Sequence, residues 1–224
     1  MLEQITKIWS NYSMVYIEGL WVTIWLAAVS VVFATFLGAL LAIMKLSPIK
    51  PLNWFVDLYL WILRGTPTLL HLYFFWLLLP KMFPMLDLSN LQCIVIALIV
   101  SASAYMCEII RSGIQAVDPG QKEAGISLGM TNFNTMIRIV MPQAVKNILP
   151  ALGSEYITSM KQTSLGSVFF IGELMSSYNV VKSATFLALP SLIIAGLVYL
   201  TITTAMTFLL RTLERRLKRS ERTA

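Results

Sequence analysis

Apolar residues in this chain come in runs far longer than the stripes of a water-soluble domain, and short polar segments separate them. The uncharged runs at residues 19–44, 88–107 and 183–210 each reach the roughly 20 residues a helix needs to cross the hydrocarbon of a bilayer. Two further runs are interrupted: residues 58–79 carry Arg64-Gly65-Thr66-Pro67, and residues 148–171 carry Glu155 and Lys161. The pattern predicts an all-α integral membrane protein with five transmembrane helices, an odd number that puts the two termini on opposite sides. Membrane strands are excluded, because lipid-facing barrel segments alternate apolar and polar residues. Ahead of the first run, Ile5, Ile8, Trp9, Tyr12 and Tyr16 recur at helical spacing, which reads either as an amphipathic helix along the membrane interface or as a flexible lead-in. No basic segment leads into a short apolar run with a cleavage site there, so the first span is expected to stay.

Composition strengthens this picture. With 57% hydrophobic residues and a mean hydropathy of +0.74 over 224 residues, the chain cannot hide its apolar surface in one globular core. Charge then orients it. Twelve of the 17 lysines and arginines fall in one set of loops and the tail (Lys45, Lys50, Arg111, Lys122, Arg138, Lys146, and the six between Arg211 and Arg222), against Lys7, Lys81 and Lys182 in the other set. The positive-inside bias predicts the N-terminus outside and the C-terminus in the cytoplasm. The basic tail is read as a helix end snorkelling to anionic headgroups, and no nucleic-acid partner is expected. Cys93 and Cys107 stand about 21 Å apart along one predicted helix and cannot pair.

The polar island at residues 118–142 is the part of the chain that looks built to meet another protein. Asp118 can cap a helix, Pro119 suits its first position, and Gln121 falls where a capping box wants Glu or Gln. Gly129 is placed to stop that helix in a left-handed conformation, Thr131 to cap a second short helix, and Pro142 to mark the boundary before the next span. Gly125, without a side chain, would let another protein's surface approach closely. Gly120 to Gly125 has the glycine spacing of a phosphate-binding loop, but Ile126-Ser127 follow where Lys is required, and no strand precedes it. Nucleotide binding by this chain is therefore rejected.

Glu123-Ala124-Gly125, then Gly129, Ile139, Met141 and Pro142, resemble in identity and spacing the EAA motif of ABC importer permeases. Gly125 stands where Ala is usual, and Met141 where Leu is. Arg64-Gly65-Thr66-Pro67, Ala104-Tyr105 with Glu108 and Arg111, Gly120-Gln121, Lys161-Gln162-Thr163-Ser164-Leu165 and Glu173-Leu174 extend the likeness to the polar amino-acid uptake permeases of the histidine and glutamine type. At Gln162 that family more often has Asp or Asn. The resemblance implies a type I importer fold over residues 1–224 as one permease domain in the bacterial cytoplasmic (inner) membrane. It implies a second permease subunit, identical or related, and an extracytoplasmic solute-binding protein that delivers an amino acid. It also implies two cytoplasmic ATP-binding cassette subunits, so ATP and magnesium are held by those partners, no cofactor or metal is expected in this chain, and the chain itself is not an enzyme. Glu123, Ala124, Gly125, Gly129, Ile139 and Pro142 become the candidate ATPase-coupling residues.

Within the spans, charge is costly, about 2.5–3.5 kcal/mol at mid-bilayer, so Arg64, Glu155 and Lys161 should face protein or a wet cavity. Pro67 disfavours helix at Thr66, and the second span should kink there and could expose backbone groups to a solute. Glu155, among Ser154, Thr158 and Ser159, is the acid best suited to an ammonium group. Lys161 lies about 120° away around the same helix and is expected to pair with Glu173 or another acid rather than bind a carboxylate. Tyr105, Ser159, Thr163 and Ser164 complete the candidate pathway with Thr66 and Pro67. Glu108 and Arg111 should form a local ion pair, and His71 a hydrogen-bonded packing contact rather than a proton relay. The competing readings are a secondary transporter or channel working without ATP, and an intramembrane enzyme, for which no paired acids or nucleophile arrangement is seen.

Overall fold

The computed structural model describes the backbone of residues 1–221 and the side chains of residues 1–215, and every described element is helical. Nine α-helices are present among the described residues: α1 (Leu2–Leu46), α2 (Lys50–Gly65), α3 (Thr68–Met82), α4 (Asn90–Gln115), α5 (Pro119–Ser127), α6 (Asn132–Thr135), α7 (Met141–Gln162), α8 (Leu174–Thr185) and α9 (Ala188–Glu221). Three of them, α1, α4 and α9, are long and apolar enough to cross a membrane, or four spans result if the bent pair α2–α3 counts as one. The snorkelling expected of Arg216, Lys218, Arg219 and Arg222 lies outside the described residues.

The scaffold is α1 laid along α4. Gly19, Thr23, Ala27, Ser30, Ala34, Gly38 and Ala42 form a buried stripe of small residues at three- and four-residue spacing on α1. Lipid offers no hydrophobic drive for helix association, so small side chains that let backbones approach supply the packing instead. Gly38 shows how close the approach is: a Cβ there would stand 2.5 Å from Met106 Cβ and 2.8 Å from the Cys107 backbone nitrogen. The N-terminal part of α1 is neither a flexible lead-in nor an independent surface helix. Ile8 and Tyr16 are buried against α8 and α9, the Tyr16 hydroxyl donates to the Ser191 carbonyl at 3.1 Å, and Ser177 Oγ donates to the Val15 carbonyl at 2.8 Å.

Two expected spans change shape. The second is not one kinked helix over 58–79: α2 begins at Lys50, ends at Gly65, and turns 109° into α3. Thr66 and Pro67 are extended at the turn (ψ 150° and 138°), which follows from the steric bar that Pro67 places on helix at Thr66. The fourth does not run over 148–171 as a continuous helix. It starts at Met141, ends at Gln162, and continues as 3-10 turns through Thr163–Phe169, where Phe170 takes a left-handed conformation (φ 56°). Lys182, expected in a loop, belongs to the last turn of α8.

Candidate functional site

The polar island folds as an antiparallel cap at the end of α4. Asp118 accepts from the Gly120 amide at 2.8 Å, and Pro119 opens α5. The capping box does not close, because the Gln121 side chain accepts from Gln143 Nε2 at 3.4 Å, across to α7. Gly129 has φ 84°, the left-handed stop expected of it. Thr131 Oγ1 accepts from the Asn134 amide at 3.2 Å and starts α6.

Two further expectations are corrected here. α6 is not a separate short helix that stops before Pro142. It passes through a π-helical stretch, Met136–Val140, straight into α7. Pro142 explains the widening, since its ring would clash with the carbonyl four residues back and it has no N–H to give; a π turn absorbs both defects. Gly125 does not present an open face to a partner either. It is buried against its own chain, where an added Cβ would meet Thr135 Cγ2 at 2.8 Å and Ile139 Cδ1 at 2.9 Å. Two members of the recognised motif, Gly125 and Ile139, thus hold α5 against the returning helix. Glu123 and Ala124 are exposed beside them. Sequence reasoning missed the apolar side chains this cap offers to water: Leu128 at 84% exposure and Phe133 at 72%, with Ile126 and Ile137 also exposed. Their signal was an apolar residue on either side of the Gly129 stop.

At the α2–α3 break, Thr66 Oγ1 donates to the Ile62 carbonyl at 2.6 Å. The single hydroxyl proton being spent there, Thr66 accepts from His71 Nε2 at 2.6 Å, which leaves His71 Nδ1 to accept from Ser101 Oγ at 2.8 Å. His71 is thereby a buried, hydrogen-bonded bridge from the break to α4, the packing role expected of it. Arg64 faces protein, as expected of a charge in a span, and is paired. Its Nη1 lies 3.6 Å from Glu108 Oε2, and the same carboxylate takes two bonds from Arg111, at 2.8 and 3.3 Å. The expected Glu108–Arg111 pair is present, and the 44-residue separation hid its third member. Tyr105 lies half-buried on α4 between these two anchors.

On α7, Glu155 shares the inward stripe of Ile148, Leu152 and Ser159, the four standing at four-, three- and four-residue spacing. No salt-bridge partner stands within 4 Å of Glu155 among the described residues. One turn along, Ser159 Oγ is buried without a hydrogen-bond partner among the described residues. Lys161 is exposed on another face, and the expected pairing with Glu173 is not made. Glu173 is fully buried as the cap of α8, taking bonds from the Met175 amide (2.6 Å), the Ser176 amide (2.7 Å), Ser176 Oγ (2.8 Å) and the Tyr199 hydroxyl (3.3 Å). Four donors satisfy its carboxylate without a cation. Thr163 and Ser164 spend their hydroxyls on the Met160 and Lys161 carbonyls. The structure therefore gathers Arg64, Thr66 and the neighbours of Tyr105 on one side of α4, and sets Glu155 and Ser159 on α7, which packs on α4 as well.

Residues 30–219 match the family described as binding-protein-dependent transport system inner membrane component. The arginine transport system permease protein ArtQ of Bacillus subtilis (strain 168) is 37% identical over 205 residues, covering 92% of this chain and 93% of that protein. The glutamine transport system permease protein GlnP of Escherichia coli (strain K12) is 30% identical, with 90% and 92% covered. Among solved structures, a crystal structure of an amino acid ABC transporter with histidines superposes with a TM-score of 0.87 at 38% identity, covering 92% and 96% of the two chains. An inward-facing MetNI methionine ABC transporter, at 18% identity and a TM-score of 0.68, shares the fold over 90% of this chain and 97% of its own. The chain belongs to the family of binding-protein-dependent transport system inner membrane components and is a multi-pass permease of the inner membrane.

Proposed function

We propose that this chain forms the translocation pathway for a polar amino acid, crossing the membrane five times with its N-terminus outside and its cap of α5 and α6 in the cytoplasm. It is the permease component of an amino-acid uptake ABC transporter, and a separate subunit hydrolyses the ATP. Two such ATPase subunits, holding ATP and magnesium, a second permease subunit and an extracytoplasmic solute-binding protein complete the assembly. The observation that carries the reading is the cap itself: a polar insertion, packed shut at Gly125 and turned at Gly129, that nonetheless presents Leu128 and Phe133 to water beside Glu123 and Ala124. Apolar side chains exposed next to one another on a polar insertion offer a surface to another protein. Phe133→Ser should release the ATPase from the purified complex while the permease still inserts. Retention of the ATPase, or solute-coupled proton flux in liposomes holding this chain alone, would overturn the reading.

Glu155 is proposed as the counter-charge for the ammonium or a cationic side chain of the solute. The inward stripe, the absence of a nearby cation among the described residues and the unpartnered Ser159 hydroxyl support it. Glu155→Gln keeps the shape and removes the charge, weakening solute binding by roughly 1.5–3 kcal/mol. Uptake into proteoliposomes at limiting solute should fall, with ATPase stimulation by the empty binding protein retained; uptake equal to the parent assigns Glu155 a structural role. Orientation is tested by impermeant thiol labelling, since Cys93 and Cys107 are buried and give little background. In intact spheroplasts Lys182→Cys should label and Lys122→Cys should not.

A further inference from the structure

α2 has a face that no other described residue of this chain covers. Trp54 and Trp61 are 71% and 75% exposed, and seven residues of helix put them on one side, two turns apart. Phe55 and Leu58 are exposed next to them, while Val56, Leu60 and Leu63 are buried in the cluster that holds Leu41, Ala104 and Cys107.

The direction of α2 sets what meets this face. α3 runs against α4 in the opposite sense, with His71 bonded to Ser101 and Trp76 Nε1 donating to Asn90 Oδ1 at 2.9 Å, so α3 follows the course of a spanning helix. A turn of 109° from α3 leaves α2 about 20° from the membrane plane when α3 stands along the normal. Its depth is fixed at two points. Arg64 meets Glu108, which lies about 27 Å along α4 from Asn90, close to the far edge of a hydrocarbon core of roughly 30 Å. Asp57 pairs with Lys45, the basic residue of the last turn of α1. Tryptophan is enriched at this boundary, and a helix that lies in it carries Trp, Phe and Leu along one side.

We infer that α2 is an in-plane helix seated in the interface of one leaflet, with Trp54 and Trp61 among lipid headgroups and the adjoining acyl chains. The second crossing is then completed by α3 with the extended Thr66 and Pro67. Fifteen helical residues and two extended ones reach roughly 29 Å, enough for the hydrocarbon without α2. Naming the leaflet cytoplasmic rests on the proposed orientation; the in-plane placement does not.

The test is tryptophan depth in the assembled transporter, reconstituted in phosphatidylcholine and phosphatidylglycerol vesicles that carry nitroxides at graded acyl positions. Two single-tryptophan forms retain Trp54 or Trp61, the other five of the six tryptophans being Phe. Both should be quenched best by the shallow nitroxides, with depths agreeing to about 3 Å; a helix along the normal would separate them by about 10 Å. Such a separation overturns the placement. Quenching of neither residue also overturns it, because a second copy of the permease would then cover the face. Spin labels at Trp54→Cys and Trp61→Cys, read by oxygen and nickel collision, give the same two depths if the tryptophan-depleted forms do not assemble.

Discussion

Gly125→Ala is the sharpest probe of the cap, because alanine is the residue usual at that position of the motif and this chain should still reject it. The added Cβ would stand 2.8 Å from Thr135 Cγ2 and 2.9 Å from Ile139 Cδ1, about 1 Å inside an ordinary carbon contact. Ile139 can swing its terminal methyl. Thr135 is fully buried and stiff at χ1, so α5 must back away instead. Overpacking of this kind costs about 1–3 kcal/mol, and alanine returns about 0.8–1 kcal/mol of helix propensity over glycine. The net, near 1 kcal/mol, falls on the contact that sets Leu128 and Phe133, the side chains proposed to meet the ATPase. Titration of the purified permease with ATPase subunit should therefore show roughly five-fold weaker association, with uptake reduced in parallel. Thr135→Ser removes only the opposing methyl. In the double variant it should recover most of the loss, a coupling of about 1 kcal/mol between the two positions. Unchanged association in Gly125→Ala, or a loss that Thr135→Ser does not relieve, refutes the steric account.

Gly129→Val meets nothing within 4 Å, so its cost is purely that of a β-branched residue at φ 84°, about 1–3 kcal/mol; it should uncouple ATP hydrolysis from uptake, and normal uptake at normal expression would count against this. Gly38→Ala collides with the Met106 side chain and the Cys107 backbone and should lower the melting temperature of the purified transporter, whereas Gly196→Ala, with open space around it, should not. Equal melting of the two would remove the close α1–α4 approach from the argument. His71→Leu strands the buried Ser101 hydroxyl at a cost of about 1–3 kcal/mol and should speed hydrogen exchange around Thr66; parental exchange rates would show that the bridge does not hold the break.

What the sequence made legible was local. The caps at Asp118 and Thr131 and the left-handed Gly129 depend on residues within three or four positions of one another, and they form as their chemistry requires. The i and i+3 pair of Glu108 and Arg111 is equally local. Readings failed where a distant segment decided the outcome. Gln121 leaves its own cap for Gln143, and Gly125 is closed by Thr135 and Ile139 rather than left open. The size of the turn at Thr66 was also out of reach, since Pro67 bars helix at Thr66 but the 109° angle depends on what α2 and α3 each pack against. Glu173 shows the same limit from the other side. The sequence offers it as a partner for Lys161, while the fold supplies four hydrogen-bond donors instead.

The π stretch at Met136–Val140 lets the chain turn from cap to span without leaving helical backbone, and this has a mechanical result. α6, the π turn and α7 follow one another with four, five and 22 residues, a continuous helical path of about 46 Å along the backbone from Asn132 to Gln162, with Pro150 inside it. A tilt becomes a displacement in proportion to the length it acts over: were the path to tilt as one body, 10° at the cap would carry Gln162 through about 8 Å and Glu155 through about 6 Å. Movements of that size equal the width of a small solute. On the proposed orientation the cap would not need to send any signal through side-chain rearrangements, because the residue proposed to hold the solute and the turn proposed to face the cytoplasm lie on one continuous helical path.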